Sequence, residues 1–152
     1  MARLSAAVVA ASIVLSPAAA RAEPLPPAAP LSTQVQFAGQ ALQLGERDGR
    51  CALLRGDTLV LPLAIPAPCG FSRDGKGGAR VEAFGRSRIV LVEHVRPNPD
   101  PRMAGTMGPA CINESQAVRE TGGAMEAGAV NVAANCGGGV QDQKMFVAGF
   151  SW

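Results

Sequence analysis

The chain has 152 residues, 47% of them hydrophobic, yet only five Phe, one Trp and no Tyr. Its formal charge is +2, and Arg3 and Arg21 near the start account for the whole excess. A formally neutral remainder gives no argument for nucleic acid, which requires a clustered positive face, and so few rings argue against a sugar-cleaving cleft lined with stacking platforms.

The first 22 residues have the three parts of an export signal. Arg3 supplies the basic start. Residues 4–15 form an uncharged apolar run interrupted only by Ser5 and Ser12. Pro17 then breaks any helix, because proline lacks an N–H and clashes with the preceding turn. Ala20-Arg21-Ala22 offers a small-x-small cleavage site, which places the cut between Ala22 and Glu23. The apolar run is about a dozen residues, and a spanning helix needs roughly 20, so no stable membrane insertion is expected. The mature chain is expected outside the cytoplasm, in a periplasm or the medium.

Residues 23–33 hold four prolines among alanines and leucines and read as a flexible lead. The folded domain is expected over 34–152. There the dominant signal is short runs of period-two alternation, the mark of half-buried strands. Gln34-Val35-Gln36-Phe37 alternates polar and apolar, and residues 41–44 continue it after Gly39. The polar stretch 46–49 turns the chain. Residues 51–54 and 58–63 are two strands joined at Gly56-Asp57. Pro62 cannot donate to a ladder, so its strand should lie at an edge or contain a bulge.

The clearest hairpin joins residues 79–84 to 87–95 across Gly85-Arg86, where glycine at the first central position suits a type II′ turn. The return strand carries Ile89, Leu91 and Val95 on one face and Val90 and Val92 on the other, as a central strand covered on both sides would. Glu93 and His94 interrupt that pattern. Residues 96–109 are rich in Pro and Gly and read as a long surface loop. A second hairpin pairs 116–121 with 127–134 around Gly122-Gly123. Residues 144–152 are expected to form a last strand with Phe146, Ala148, Phe150 and Trp152 on its inner face. The sum is one all-β domain of roughly six to eight strands, a small antiparallel barrel or sandwich.

Cys51, Cys69, Cys111 and Cys136 are the four cysteines. In a small exported chain an even count reads as two disulfides. Four cysteines allow three pairings, and the strand–turn–strand segments bracketed by 51/69 and 111/136 favour the sequential one. Each bridge would close a loop of about 20 residues and contribute about 3 kcal/mol. Zinc needs closely spaced ligand pairs, which this spacing lacks. The Cys-x-Leu…Cys-x-Phe bracket from Cys51 to Phe71 resembles in form many small exported β domains, periplasmic inhibitors among them, and is too general to transfer a residue role.

His94 is the sole histidine. As a general base it would need an acid and a nucleophile brought from a distance, such as Asp100, Ser87 or Ser115. Adjacent Glu93 points to the opposite strand face, and there is no nucleophile elbow. His94 with Met103 and Met107 is the one set that suits Cu(I), which takes imidazole and thioether ligands. Arg55-Gly56-Asp57 reads as a turn. Asn113-Glu114-Ser115 matches a glycosylation acceptor. The glycines at 77–78 and 137–139 lack the lysine and helix start of a phosphate loop. The ending Phe150-Ser151-Trp152 resembles in form an outer-membrane barrel's terminal strand, without the aromatic girdles such barrels need.

The expectation is therefore a non-catalytic, cofactor-free binding, accessory or inhibitor-like protein. Its partner would be an envelope protein or component, and the loop 96–109 its candidate surface. Copper binding through His94, Met103 and Met107 is the alternative.

Overall fold

In a computed structural model, residues 31–100, 111–137 and 139–152 are described. Nine strands and one short helix follow in order: β1 (Gln34–Phe37), β2 (Gln40–Arg47), β3 (Arg50–Arg55), β4 (Thr58–Pro66), β5 (Gly70–Phe71), β6 (Val81–Phe84), β7 (Ser87–Pro97), β8 (Cys111–Thr121), β9 (Ala124–Ala133) and α1 (Gln143–Val147). The first four form one sheet in the order β1-β2-β3-β4; the second runs β5-β7-β8-β9, with β6 also paired to β7. Every pairing between these strands is antiparallel. Both sheets are open, so the single closed barrel offered as one expectation is not what forms.

Turn chemistry explains the connectivity. Five hairpins close on two-residue loops, and each carries glycine with positive φ: Ala38-Gly39, Asp48-Gly49, Gly56-Asp57, Gly85-Arg86 and Gly122-Gly123. In the Gly56 and Gly85 loops only the first residue has positive φ, the type II′ pattern; in the other three both residues do, the type I′ pattern. Primed turns match the twist of the flanking strands. Ala38 (φ 51°) and Asp48 (φ 53°) adopt a left-handed conformation that side chains ordinarily avoid.

Alternation then sets the faces. Val35 and Phe37 of β1 are buried between exposed Gln34 and Gln36. Leu63 and Ile65 of β4 are buried beside exposed Pro62 and Ala64. These residues meet Leu42, Leu53, Val90, Val92 and Val118 in one core shared by the two sheets. Pro62 has both of its expected settings. Its strand is the outer one of its sheet, and the β3–β4 ladder slips on either side of the Ala52–Pro62 pair.

Two disulfides brace the fold, one between the sheets and one within the second. Cys51 of β3 is bonded to Cys69, just before β5, and Cys111 at the start of β8 to Cys136 beyond β9. Gln116 adds a polar tie: its Oε1 accepts from Ala64 N of β4 (2.7 Å) and its Nε2 donates to Gly128 O of β9 (2.8 Å). It sits where the β8–β9 register shifts, and its amide joins Gly128 of that ladder to the outer strand of the other sheet. Leu31, Ser32 and Thr33, from the segment read as a lead, also touch both sheets. Phe71 N donates to Ser32 O, Leu44 N donates to Thr33 O, and Leu31 packs over Gly70.

One element differs in kind. Residues 144–152 are not a strand. Asp142 caps the helix α1 by accepting from Lys144 N (2.9 Å), and the chain then turns so that Ala129 N donates to Gly149 O (2.9 Å). Phe146 is the one buried residue of α1. It covers Ile89, Leu91 and Ala117 on the outer face of the second sheet. The central position expected of β7 is therefore correct: Val90 and Val92 face the shared core while Ile89 and Leu91 face α1.

Candidate functional site

Past the apolar half of that outer face, the same alternation brings polar residues together. Glu93 follows Ile89 and Leu91 on β7. The register sets Ser115 opposite Glu93 and Asn113 opposite Val95, then Asn131 and Ala133 of β9 opposite Ser115 and Asn113. Glu93, Asn113 and Ser115 are all buried. Asn113 Nδ2 donates to Glu93 Oε1 (2.6 Å) and to Asn135 Oδ1 (2.9 Å), and Asn135 Oδ1 also accepts from Gly137 N (2.9 Å). The Glu93 carboxylate thus helps hold the segment after β9 against the sheet.

Burial raises the pKa of Glu93 above its ordinary 4.5, opposed by the hydrogen bond from Asn113, by the nearby Ser72 and Gln141 side chains and by the charge of Arg73. Ser72 Oγ lies near enough to favour the ionised form without reaching hydrogen-bond geometry. Asn113 Oδ1, Ser115 Oγ and Asn131 Nδ2 are buried with no protein partner. Such groups cost about 1–3 kcal/mol each unless water satisfies them. The adjoining cleft, between Ser32, Gly70, Arg73, Glu93 and Val95, holds only about 40 Å³. That is room for about one water.

The raised pKa has a testable sign. The folded state holds the proton more tightly than the unfolded chain, so the stabilising contribution is full below pH 4.5 and fades as pH rises through the folded value. Glu93→Gln keeps an acceptor for Asn113 and removes the titration. Urea unfolding from acid to neutral pH is expected to show a flatter profile for the variant, which gains on wild type as pH rises. Parallel profiles would show that Glu93 does not titrate between these states.

Among the described residues, those proposed for acid–base and nucleophilic chemistry are not gathered. His94 lies on the inner face, its Nδ1 2.8 Å from Pro68 O. Ser87 and Ser115 lie on the outer face; Ser87 Oγ bonds Thr121 Oγ1 at 2.6 Å. A β-sheet therefore separates the imidazole from both serines. Asp100 lies beyond the end of β7, where its N–H donates to Asn98 Oδ1. Met103, Met107 and the rest of the loop from 101 to 109 fall outside the described residues. Asn113 is fully buried and doubly bonded, which closes the glycosylation reading in the folded chain. Arg55-Gly56-Asp57 spans the β3–β4 turn. Near Gly77-Gly78, the Asp74 carboxylate already accepts from Lys76 N and Gly78 N, so those amides are not free for an anion.

A different surface has the character of a binding site. Beyond α1 the chain brings Trp152 against Phe84 of β6, ring centroids 4.6 Å apart and edge-on. Trp152 Nε1 donates to Val147 O (2.9 Å). The Arg119 guanidinium lies 4.4 Å from the Phe150 ring centroid and 4.6 Å from that of Trp152, and it pairs with Glu126. Phe84 is 41% and Trp152 58% exposed. With Arg86, Ser87, Arg119 and Thr121 they line an open cleft of about 400 Å³. The sequence hides this cluster because Phe84 and Trp152 lie far apart in the chain and Trp152 was expected to face inward. No family model, no curated protein and no solved structure matches this chain.

Proposed function

We propose that this chain is an exported, non-catalytic binding domain, accessory or inhibitor-like, built as a two-sheet sandwich that meets an envelope protein or component at the Phe84–Arg119–Trp152 cleft. Two disulfides support export, as does the leader-like start. Among the described residues no helix is long and apolar enough to cross a membrane. The observation that carries the reading is a pair of half-exposed rings fixed by a hydrogen bond and a guanidinium. Trp, Tyr and Arg dominate the energetics of protein interfaces, and rings already held in place lose little entropy on binding.

Photo-cross-linking from position 86, in the compartment that holds the mature chain, is expected to give a discrete adduct. Replacing both Phe84 and Trp152 by alanine should remove it. An adduct indifferent to that double substitution, or no adduct, contradicts the reading.

One contact favours the copper alternative. With its proton on Nδ1, His94 donates to Pro68 O. That fixes the ring and leaves the Nε2 lone pair for a metal, the arrangement usual in histidine ligands. Met103 and Met107 would complete a Cu(I) set. Titration of Cu(I) against wild type and His94→Ala separates the readings: a tenfold or greater loss of affinity supports copper, and equal affinity ends it.

A further inference from the structure

We infer that β6 is a docking edge that accepts an extended, acidic segment of a partner protein as an added β-strand. The inference deepens the proposed binding function and rests on it for the location of the partner. Among the described residues, strand β6 pairs only with β7. The pair closing its hairpin, Phe84–Ser87, and the Glu82–Ile89 pair direct their backbone groups at each other, as residues at alternate positions of an antiparallel ladder do. Arg80 N, at the same parity, donates inward to Ser72 O (2.8 Å). Val81 and Ala83 therefore turn their N–H and C=O groups outward. Among the described residues no backbone or side-chain group bonds them.

An unpaired strand edge specifies the backbone of its occupant: a strand. The side chains beside it specify more. Val81 is 39% exposed and Phe84 41%, and the Phe84–Trp152 pair stands on the outer face next to the edge. A strand laid along β6 alternates its side chains, so every second residue falls on the side of these rings and an apolar anchor there is favoured. Arg86 and Arg88 are exposed and make no hydrogen bond or ion pair among the described residues. Glu120, across the ladder from Arg88, already accepts from Gly123 N, and Glu82 is paired with Arg80. The arginines without partners favour carboxylates on the incoming segment and disfavour a second copy, which would bring its own arginines to the same seam.

The test uses the mature chain and short synthetic peptides that alternate Glu with β-branched or aromatic residues, with Lys-for-Glu analogues as controls. The acidic peptides are expected to slow amide exchange at Val81 and Ala83, and the Lys analogues to leave it unchanged. Ala83→Pro removes the outward donor, at an edge position where proline is tolerated, and should weaken binding about tenfold or more. Methylating alternate peptide nitrogens tests the same bonds without altering the protein, and should abolish binding. If Ala83→Pro and the methylated peptides bind normally while replacing Phe84 and Trp152 by alanine abolishes binding, strand addition is wrong and the cleft stands. No protection at Val81 and Ala83 with any acidic peptide also overturns the inference. Self-association that Ala83→Pro abolishes would assign the edge to a second copy and overturn the acidic partner.

Discussion

Replacing Cys51 and Cys69 together by alanine is expected to cost about 3 kcal/mol of unfolding free energy. The bridge spans 18 positions, and removing it returns that loop's closure entropy to the unfolded chain. It is also the covalent link between the sheets, from β3 to the residue before β5. Cys51 is 1% exposed and Cys69 6%, so their sulfurs belong to the shared core. The second bridge is placed differently: Cys136 is exposed and Cys111 half-buried, and it joins segments already held together through β8 and β9. A thiol reductant added to folded protein should open Cys111–Cys136 first and reach Cys51–Cys69 only on unfolding. Denaturation of the Cys51/Cys69 double variant checks the magnitude, and timed alkylation after reduction checks the order. A cost below about 1 kcal/mol, or simultaneous reduction, would mean that the sheets do not depend on the inter-sheet bond.

Phe146→Ala is expected to cost about 3–5 kcal/mol, the usual range for deleting a fully buried ring. The ring is inaccessible to solvent and is the only part of α1 that is buried. It seals Ile89, Leu91 and Ala117, and the Arg80 guanidinium lies 5.0 Å from its centroid. The consequence reaches the binding surface, because the segment that α1 anchors also carries Phe150 and Trp152. Trp152 is the only tryptophan, so its fluorescence reports the Phe84–Arg119 setting directly. Phe146→Ala should lower stability and shift that emission toward the solvent-exposed value even before unfolding. Phe146→Leu should recover most of the stability. A small loss with unchanged emission would show that α1 is not what holds the C-terminal rings.

Much of the fold is legible because it is local. Gly49, Gly56, Gly85 and the 122–123 pair mark turns that only glycine closes cheaply, and the alternation between them sets which residues face inward. Pro62 reports an edge and a bulge for the same reason: a missing N–H has few places to sit. The C-terminal segment is harder. Phe146, Ala148, Phe150 and Trp152 alternate as a strand would, yet Phe146 and Phe150 are also one helical turn apart, and Asp142 is a good cap. Tertiary demand decides between them, since Ile89 and Leu91 need a cover on the outer face. The nine strands among the described residues exceed the expected number partly because β5 has only two residues, too few to leave a pattern. Glu93 shows in the sequence as a break in an apolar run. What it meets, Asn113 across the ladder and Asn135 beyond β9, depends on register and cannot be read from neighbours in the chain. The Phe84–Trp152 cleft is hidden likewise.

The proposed function rests on an exported, oxidised scaffold, and non-reducing peptide mapping by mass spectrometry of protein recovered from outside the cytoplasm tests that most directly. The expected result is a chain beginning at Glu23, with 51 joined to 69, 111 joined to 136, and no alkylatable thiol. An uncut leader, crossed pairs or free cysteines would contradict it.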